Sequence, residues 1–141
     1  MATSFFASLS NEKDFLALDA KRLTVLVELS VQKKALEALS RERPSVRSFE
    51  RIEARIESGL DNLQTANGAV TSYFRKVGGD PLNDTGFDNY QDTATNITGE
   101  IEILRESYHE LLKTKGLLVR EAKRQTLRIN EIYSHSKLLN C

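Results

Sequence analysis

The chain contains few of the residues that stabilise small folds through covalent or metal crosslinks. Its 141 residues include one cysteine, two prolines, seven glycines and no tryptophan. A single cysteine, Cys141, excludes a disulfide framework and a cysteine-rich zinc site. The shortage of glycine and proline also argues against an all-β fold, which needs a turn after every short strand.

The chain also lacks an excess of charge of one sign and a long apolar run. Lys plus Arg and Asp plus Glu number 20 each, so the formal net charge is zero, which argues against a dedicated polyanion-binding protein. No apolar stretch approaches the roughly 20 residues that a membrane-spanning helix needs. The N-terminus has no basic region followed by an apolar run, as a signal peptide would. We therefore expect an intracellular, cytoplasmic protein.

What the sequence does contain is three long segments rich in residues that favour helices, separated by breakers at Pro44 and around Pro81. The first segment predicts a helix over 10–42 with Ser10 as its N-cap, which ends before proline restricts the backbone. Additional apolar residues widen its stripe, so that two neighbours would fit against it. The stripe comprises Phe15, Leu18, Val25, Leu29, Leu36 and Leu39, with Leu16, Leu23, Leu26 and Val27 beside them and the polar Arg22 and Gln32 between them.

The second segment predicts a helix over 45–77, with Ser45 as its N-cap and Gly78-Gly79 ending it. Its apolar residues alternate in steps of three and four, which keeps one face toward a partner throughout. Asn67 is the only polar residue of this stripe, where it either makes a local hydrogen bond or fixes the helix register. The stripe consists of Phe49, Ile52, Ile56, Leu60, Leu63, Asn67, Val70, Phe74 and Val77.

After a loop over 78–87, the third segment predicts a helix over 88–139, which begins with Asp88 and Gln91 at the spacing of a capping box. One heptad register continues to its end. Because a glycine costs a helix only about 1 kcal/mol, we expect a bend at Gly116 at most, and two helices divided at Gly116 are the alternative. The register positions are Tyr90, Ile97, Leu104, Leu111, Leu118, Gln125, Ile132 and Leu139 in one set and Ala94, Ile101, Tyr108, Lys115, Ala122, Ile129 and Ser136 in the other.

These elements predict an all-α, antiparallel three-helix bundle with coiled-coil character over 10–141, preceded by an N-terminal tail over 1–9. Phe5, Phe6 and Leu9 of the tail either cover an end of the bundle or form a wedge for a membrane or a partner. The third helix is predicted to extend beyond the other two by about 28 Å. Because a long apolar stripe is unfavourable in water, this extension either folds back or meets another chain. The residues predicted for the contact are Leu118, Ile129, Ile132 and Leu139.

No motif of the sequence indicates catalysis. The chain has no glycine-rich nucleotide loop. Its two histidines, His109 and His135, would lie about 39 Å apart on one straight helix and cannot share a metal ion. The carboxylates have the spacing of surface ion pairs. We therefore predict a protein that is not an enzyme and uses no cofactor, metal or small-molecule substrate.

Charge is distributed unevenly along the third segment. Residues 89–111 contain five acidic residues and one basic residue, a net charge of −4, whereas residues 112–141 contain seven basic and two acidic residues, a net charge of +5. Three interpretations follow: a solvated face, antiparallel self-pairing of the acidic and basic halves, or contact with nucleic acid or an anionic membrane. The basic patch comprises Lys113, Lys115, Arg120, Lys123, Arg124 and Arg128.

The order of helices and several residue types resemble the helical N-terminal region of Gag-like polyproteins of BEL/Pao-type LTR retrotransposons. The resemblance covers about residues 13–115 and is carried by residues 20–26 (AKRLTVL), 49–56 (FERIEARI), 90–92 (YQD) and 106–112 (ESYHELL). It implies a structural, self-associating role in particle assembly without catalysis. No functional residue can be carried over from the family to this chain.

Together, the patterns predict a non-enzymatic structural or protein–protein interaction module that forms homo-oligomers or binds a partner helix. Two alternatives remain open. One is a helical bundle that acts at a membrane surface or in trafficking, and the other is a sequence-independent nucleic-acid binder that uses the basic segment 112–141.

Overall fold

A computed structural model describes residues 4–117 and contains a bundle of three helices. A short 3-10 helix, Phe6–Leu9, precedes α1 (Lys13–Leu39), α2 (Val46–Lys76) and α3 (Thr85–Thr114). The three α-helices are similar in length, with 27, 31 and 30 residues. The described part of the chain contains no strand, so the predicted all-α three-helix fold is confirmed.

The three helices alternate in direction. The short connection over 40–45 makes α1 and α2 antiparallel neighbours. α3 runs parallel to α1, because Asp19 near the start of α1 bonds to Tyr90, whereas Lys33 near its end bonds to Glu100. Each helix is therefore antiparallel to the one that precedes it, as predicted.

Two apolar clusters fill the bundle. Ala94, Ile101 and Tyr108, which are spaced seven residues apart, are all buried, as the heptad register predicts. The larger cluster comprises Leu26, Leu29, Leu36, Leu39, Phe49, Ile56, Leu63, Ala94, Ile101, Tyr108 and Leu112. The smaller cluster closes the opposite end of the bundle and comprises Phe6, Leu9, Phe15, Val70, Phe74 and Phe87.

The described residues of the predicted N-terminal tail, 4–9, pack on the bundle. Phe6 and Leu9 are buried, and the ring of Phe6 packs edge-on against Phe15 with the centroids 5.3 Å apart. Edge-to-face pairs of this kind add to the free energy gained from burial. Phe6 and Leu9 therefore cover an end of the bundle, as one of the two interpretations predicts, whereas Phe5 is 43% exposed.

Helix α3 begins earlier than predicted, because Asp84 and not Asp88 is its N-cap. Asp84 Oδ1 accepts hydrogen bonds from the backbone N–H groups of Gly86 and Phe87, at 2.9 and 3.1 Å. These bonds satisfy donors that would otherwise have no partner at the first turn of the helix.

The same carboxylate holds the N-terminal turn. The Ser4 hydroxyl donates to Asp84 Oδ1, and the Phe6 N–H donates to Asp84 Oδ2 at 3.0 Å. Burial alone would raise the pKa of Asp84, but the hydrogen bonds from Ser4 and from the N–H groups of Phe6, Phe87 and Gly86 outweigh burial and lower the pKa. A contact across the chain thus determines where α3 begins.

At the other helix ends, one predicted cap is wrong and two predictions are confirmed. The N-cap of α1 is Glu12 and not Ser10, because Ser10 ends the short 3-10 helix. Ser45 caps α2 as predicted, since its Oγ accepts from the Ser48 N–H at 3.2 Å. Gly78 adopts a φ of +100° after α2, which confirms its role as a helix stop.

Helix α3 ends at Thr114, and Gly116 has a φ of +74°. This left-handed conformation breaks the helical hydrogen-bond pattern and costs glycine little, because glycine has no Cβ. The helix predicted over 88–139 therefore does not run unbroken through Gly116, the position at which the alternative divides it. Residues 118–141 lie outside the described part of the chain.

Alanine substitutions at Gly59 and at Gly68 should distinguish the effect of close packing on stability from the effect of helix propensity. A Cβ on Gly59 would lie 2.7 Å from Cδ2 of the fully buried Leu29, whereas a Cβ on Gly68 would meet nothing within 4 Å. We expect Gly68→Ala to raise the free energy of unfolding by about 0.5–1 kcal/mol. Gly59→Ala should be less stable than Gly68→Ala by about 1 kcal/mol or more, because Leu29 must move. Equal effects in urea unfolding would contradict the close contact between α1 and α2.

Asp84→Ala should lower the free energy of unfolding by about 1–2 kcal/mol through loss of the N-cap. Asp88→Ala, at an exposed position of the same turn, should cost less than about 0.5 kcal/mol. Because folding lowers the pKa of Asp84, its carboxylate stabilises the fold above the usual carboxyl pKa of about 4, and this contribution is lost as pH falls through the folded-state pKa. Urea unfolding from neutral to acidic pH should therefore show Asp84→Asn converging on wild type, and a pH-independent difference would contradict this.

Candidate interaction surfaces

A row of apolar side chains is exposed along α1. Leu16, Leu23, Val27 and Val31 are 49%, 48%, 62% and 54% exposed, and none of them belongs to either core cluster. With the exposed Ala20 they follow steps of four, three, four and four residues, which places them on one face of the helix. We call Leu16, Leu23, Val27 and Val31 the α1 stripe.

The two sides of α1 have different neighbours. Leu26 is 4% exposed and packs in the larger cluster, whereas the α1 stripe has no neighbour within residues 4–117. The sequence predicts room for two neighbours against α1, and α2 and α3 occupy the other side. On the side of α1 that faces α3, the Lys33 ammonium pairs with the Glu100 carboxylate at 2.5 Å. One turn further along α3, Ile103 is 66% exposed.

The polar residue that interrupts the core side of α1 is buried at the junction of all three helices. The Arg22 side chain is 2% exposed, its Nε donates to Asn67 Oδ1 on α2 at 3.0 Å, and its Nη2 donates to the backbone oxygen of Tyr90 on α3 at 2.8 Å. The guanidinium carbon lies 3.9 Å from the centroid of the Tyr90 ring. Hydrogen bonds and a cation–π contact thus replace the water that burial removes.

Tyr90 completes this network. Its hydroxyl donates to Asp19 Oδ1 at 2.5 Å, and Arg22 Nη1 lies 3.9 Å from the same oxygen. Burial raises the pKa of Tyr90, and the hydrogen bond to Asp19 raises it further, so the phenol stays protonated. No buried polar side-chain atom of the network lacks a partner, which is the arrangement of a structural element.

A second charged cluster lies on the surface between α2 and α3. Arg105 donates to Glu53 and Glu57 of α2, both at 3.2 Å, and to Glu102 of its own helix at 2.8 Å. The exposed His109 lies beside this cluster. Within residues 4–117, no three His, Cys, Asp or Glu side chains are placed to hold a metal ion. Exposed ion pairs of this kind orient helices more than they stabilise them.

A shallow groove of about 370 Å³ lies between α1 and α2. Its lining includes Glu28, Gln32, Arg55 and Asn62. Gln32 Oε1 is buried and has no hydrogen-bond partner among the described residues. The groove has the size and polarity to hold water, but it contains neither a nucleophile with a paired base nor converging carboxylates.

The structure describes only part of the predicted basic patch. Lys113 and Lys115 are exposed at the end of α3, where positive charge complements the helix dipole. The remaining predicted site residues lie outside residues 4–117. These are Arg120, Lys123, Arg124 and Arg128 of the basic patch and Leu118, Ile129, Ile132 and Leu139 of the predicted contact.

Arg22→Met should lower the free energy of unfolding by about 2–4 kcal/mol, because the Asn67 side-chain oxygen and the Tyr90 backbone oxygen lose their donor inside the bundle. Lys21→Met, one residue away on the exposed side of α1, should change stability by less than about 0.5 kcal/mol. Combining Arg22→Met with Asn67→Leu should recover part of the loss, because both partners are then apolar. If the two substitutions lower the free energy of urea unfolding by strictly additive amounts, the interaction between Arg22 and Asn67 is contradicted.

No helix within residues 4–117 is long and apolar enough to cross a membrane. Comparison of the chain with protein families, curated proteins and solved structures found no match. The geometry of the α1 stripe, the buried network and the charged surfaces is therefore the basis for a functional proposal.

Proposed function

We propose that this chain is a non-enzymatic protein–protein interaction module that self-associates through the α1 stripe. The observation that carries the proposal is the row of four large apolar side chains, about half exposed or more, on a helix whose other side is packed. A monomer rarely leaves a contiguous apolar row in water, and an amphipathic helix is the element that fits such a row.

The partner surface that we propose is the apolar register of the C-terminal segment, residues 118–141. Its contact residues are those predicted from the sequence: Leu118, Ile129, Ile132 and Leu139. Like the stripe, these residues would share one face of a helix, so a helical segment would be able to lie along α1. In a dimer, each copy would supply one stripe and one segment, and the two contacts would be related by a two-fold axis.

The magnitude of apolar burial supports association. Burying a Leu, Ile or Val side chain completely contributes about 1.5–3 kcal/mol, so covering four half-exposed stripe residues contributes on the order of 3–6 kcal/mol. A reciprocal dimer makes this contact twice and also buries the segment residues. Because association costs about 4–15 kcal/mol, a dimer that depends on protein concentration is expected.

Charge supports an antiparallel contact. Residues 89–111 of α3 carry a net charge of −4, and residues 112–141 carry +5. Glu100 and Glu102 are paired with Lys33 and Arg105, whereas Glu106 and Glu110 of this stretch are exposed. Such pairs determine orientation more than strength.

The resemblance to the N-terminal region of BEL/Pao-type Gag-like proteins agrees with this proposal, because it implies a self-associating part of an assembling particle. The alternatives of membrane-surface and nucleic-acid binding would depend on the basic segment 112–141. The burial of Phe6 leaves only Phe5 exposed for a membrane wedge, which favours the interaction module over the membrane alternative.

Substituting the centre of the α1 stripe should abolish self-association. We expect sedimentation of the full chain at tens of micromolar to show a dimer that dissociates on dilution. Leu23→Asp combined with Val27→Asp should leave a monomer, because two charges would be buried in the contact. The matched control, Val77→Asp combined with Leu82→Asp, changes two exposed apolar residues away from the stripe and should leave the dimer intact. A wild-type chain that is monomeric at every concentration, or a control as disruptive as the test, would refute the proposal.

A further inference from the structure

We propose that a groove between α2 and α3 is a docking site for a basic, amphipathic helix of a different protein. Side chains from the stretches 60–67 of α2 and 91–98 of α3 line this groove, which has a volume of about 410 Å³. None of the lining residues belongs to α1, so the groove is separate from the α1 stripe. The inference therefore goes beyond the proposed function and does not depend on it.

The groove exists because α3 packs more closely on α1 than on α2. Its floor is apolar, since Leu63 and Ala94 of the larger core cluster reach the surface there, with 7% and 6% of each exposed. Its rim consists of amide and hydroxyl groups, among them those of Gln64 and Thr95. Within residues 4–117 the lining contains no charged side chain. An apolar floor between uncharged polar edges suits the apolar face of an amphipathic helix.

The buried network fixes a hydrogen-bond donor at this groove. Guanidinium N–H groups only donate, so Asn67 presents its Oδ1, and not its nitrogen, to Arg22 Nε at 3.0 Å. The Nδ2 of the same amide, with its two N–H groups, is therefore not used by Arg22. Because Asn67 also lines the groove, this nitrogen is available to a side-chain or terminal backbone oxygen of a docked helix.

Two glycines beside the groove allow close approach of another helix. Gly68 lies four residues after Gln64 and Gly99 lies four residues after Thr95, so both are on the groove side of their helices. A Cβ on either glycine would meet nothing within 4 Å, and neither has a positive φ. The packing of residues 4–117 therefore requires neither glycine, although glycine disfavours a helix interior. Positions without a side chain let a partner backbone come near.

Acidic residues border the groove on both helices. Five of the residues that lie three or four positions from a lining residue are charged, and all five are acidic. They are Glu57 and Asp61 of α2 and Asp88, Asp92 and Glu102 of α3. Glu57 and Glu102 pair with Arg105, whereas the three aspartates are exposed and take part in none of the ion pairs within residues 4–117. This border complements basic side chains and repels nucleic acid and anionic membranes.

The occupant that fits these features is a helix from a different protein. The backbone groups of α2 and α3 are paired within each helix, so an extended peptide cannot add to them as it adds to the edge of a sheet. α1 and α2 each carry five basic and four acidic residues, and α3 carries two basic and six acidic residues, so no described helix of a second copy is strongly basic. The acidic border of α3 extends over about 21 Å from Asp88 to Glu102, a length that a helix of about 14 residues covers.

A synthetic helical peptide tests the site. The probe has about 18 residues, with leucine on one face and lysine on both flanks, and is titrated calorimetrically into the full chain. We expect saturable binding of one peptide per chain that weakens as the salt concentration rises. A peptide of the same composition in scrambled order should bind at least about tenfold more weakly, because it has no apolar face. Equal binding of the two peptides, or no binding of the helical peptide, would overturn the proposal.

Charge reversal locates the bound peptide. Asp61→Lys combined with Asp92→Lys should weaken binding by about tenfold or more, because both edges of the groove then repel lysine. The matched control, Glu28→Lys combined with Glu42→Lys, makes the same change in net charge at exposed positions on α1 and after it, and should change the affinity by less than about threefold. A control that weakens binding as much as the test would mean that the peptide responds only to net charge, which overturns the site.

Bulky side chains at the two glycines test close approach. Gly68→Ile combined with Gly99→Ile should weaken binding by about tenfold or more, because the branched side chains hold the docked helix away. Ala69→Ile combined with Ser107→Ile, at exposed positions on other faces of α2 and α3, should leave the affinity within about twofold. Circular dichroism checks that both variants keep their helices. Equal affinities of the two variants would overturn docking between the glycines.

Two further variants distinguish the occupant and separate this inference from the proposed function. Peptide binding that appears only after Arg124→Glu and Arg128→Glu would identify basic residues of the chain itself as the occupant and overturn a different protein as partner. Leu23→Asp combined with Val27→Asp, which should abolish self-association, should leave peptide binding unchanged. Loss of peptide binding in this variant would overturn the groove as a separate site, whereas a chain that binds the peptide without self-associating would refute only the proposed function.

Discussion

The buried guanidinium of Arg22 is the constraint on which the arrangement of the helices depends. α1 carries apolar residues around much of its circumference, so hydrophobicity alone allows several rotations of this helix. A buried charge without partners is very costly, and only one rotation brings Arg22 to both Asn67 on α2 and Tyr90 on α3. In a helix, adjacent residues point about 100° apart, so the rotation that buries Arg22 turns Leu23 outward. The α1 stripe is thus a consequence of the polar network in the core.

The two ends of the bundle are closed in different ways. At one end the chain uses its own N-terminus: Phe6 packs among aromatic rings, and Asp84 ties the N-terminal turn to the first turn of α3. At the other end Tyr108 accepts a hydrogen bond from the Ser45 N–H at 3.0 Å, which holds α3 to the connection between α1 and α2. Beyond this point Gly116 ends the helix. The first end is therefore covered by the N-terminal turn, whereas the second is fixed by the hydrogen bond between Ser45 and Tyr108.

An apolar row along α1 and a charged cluster between α2 and α3 remain on the surface. Within residues 4–117, no group with a shifted pKa lies in a cleft beside a paired nucleophile and base.

The sequence by itself determined the number of helices, their antiparallel order, the Ser45 cap and the stop at Gly78. It also determined the buried heptad positions of α3. These features follow from local helix propensity and from the periodic spacing of apolar residues on one face of a helix. Only the tertiary structure decided the rest. Asp84 and not Asp88 caps α3 because Ser4 and Phe6, distant along the chain, bind its carboxylate. Arg22, a polar interruption in the pattern, became the centre of the core because residues from two other helices supply its partners. Such choices depend on groups that meet only after the chain has folded, and no local pattern contains them.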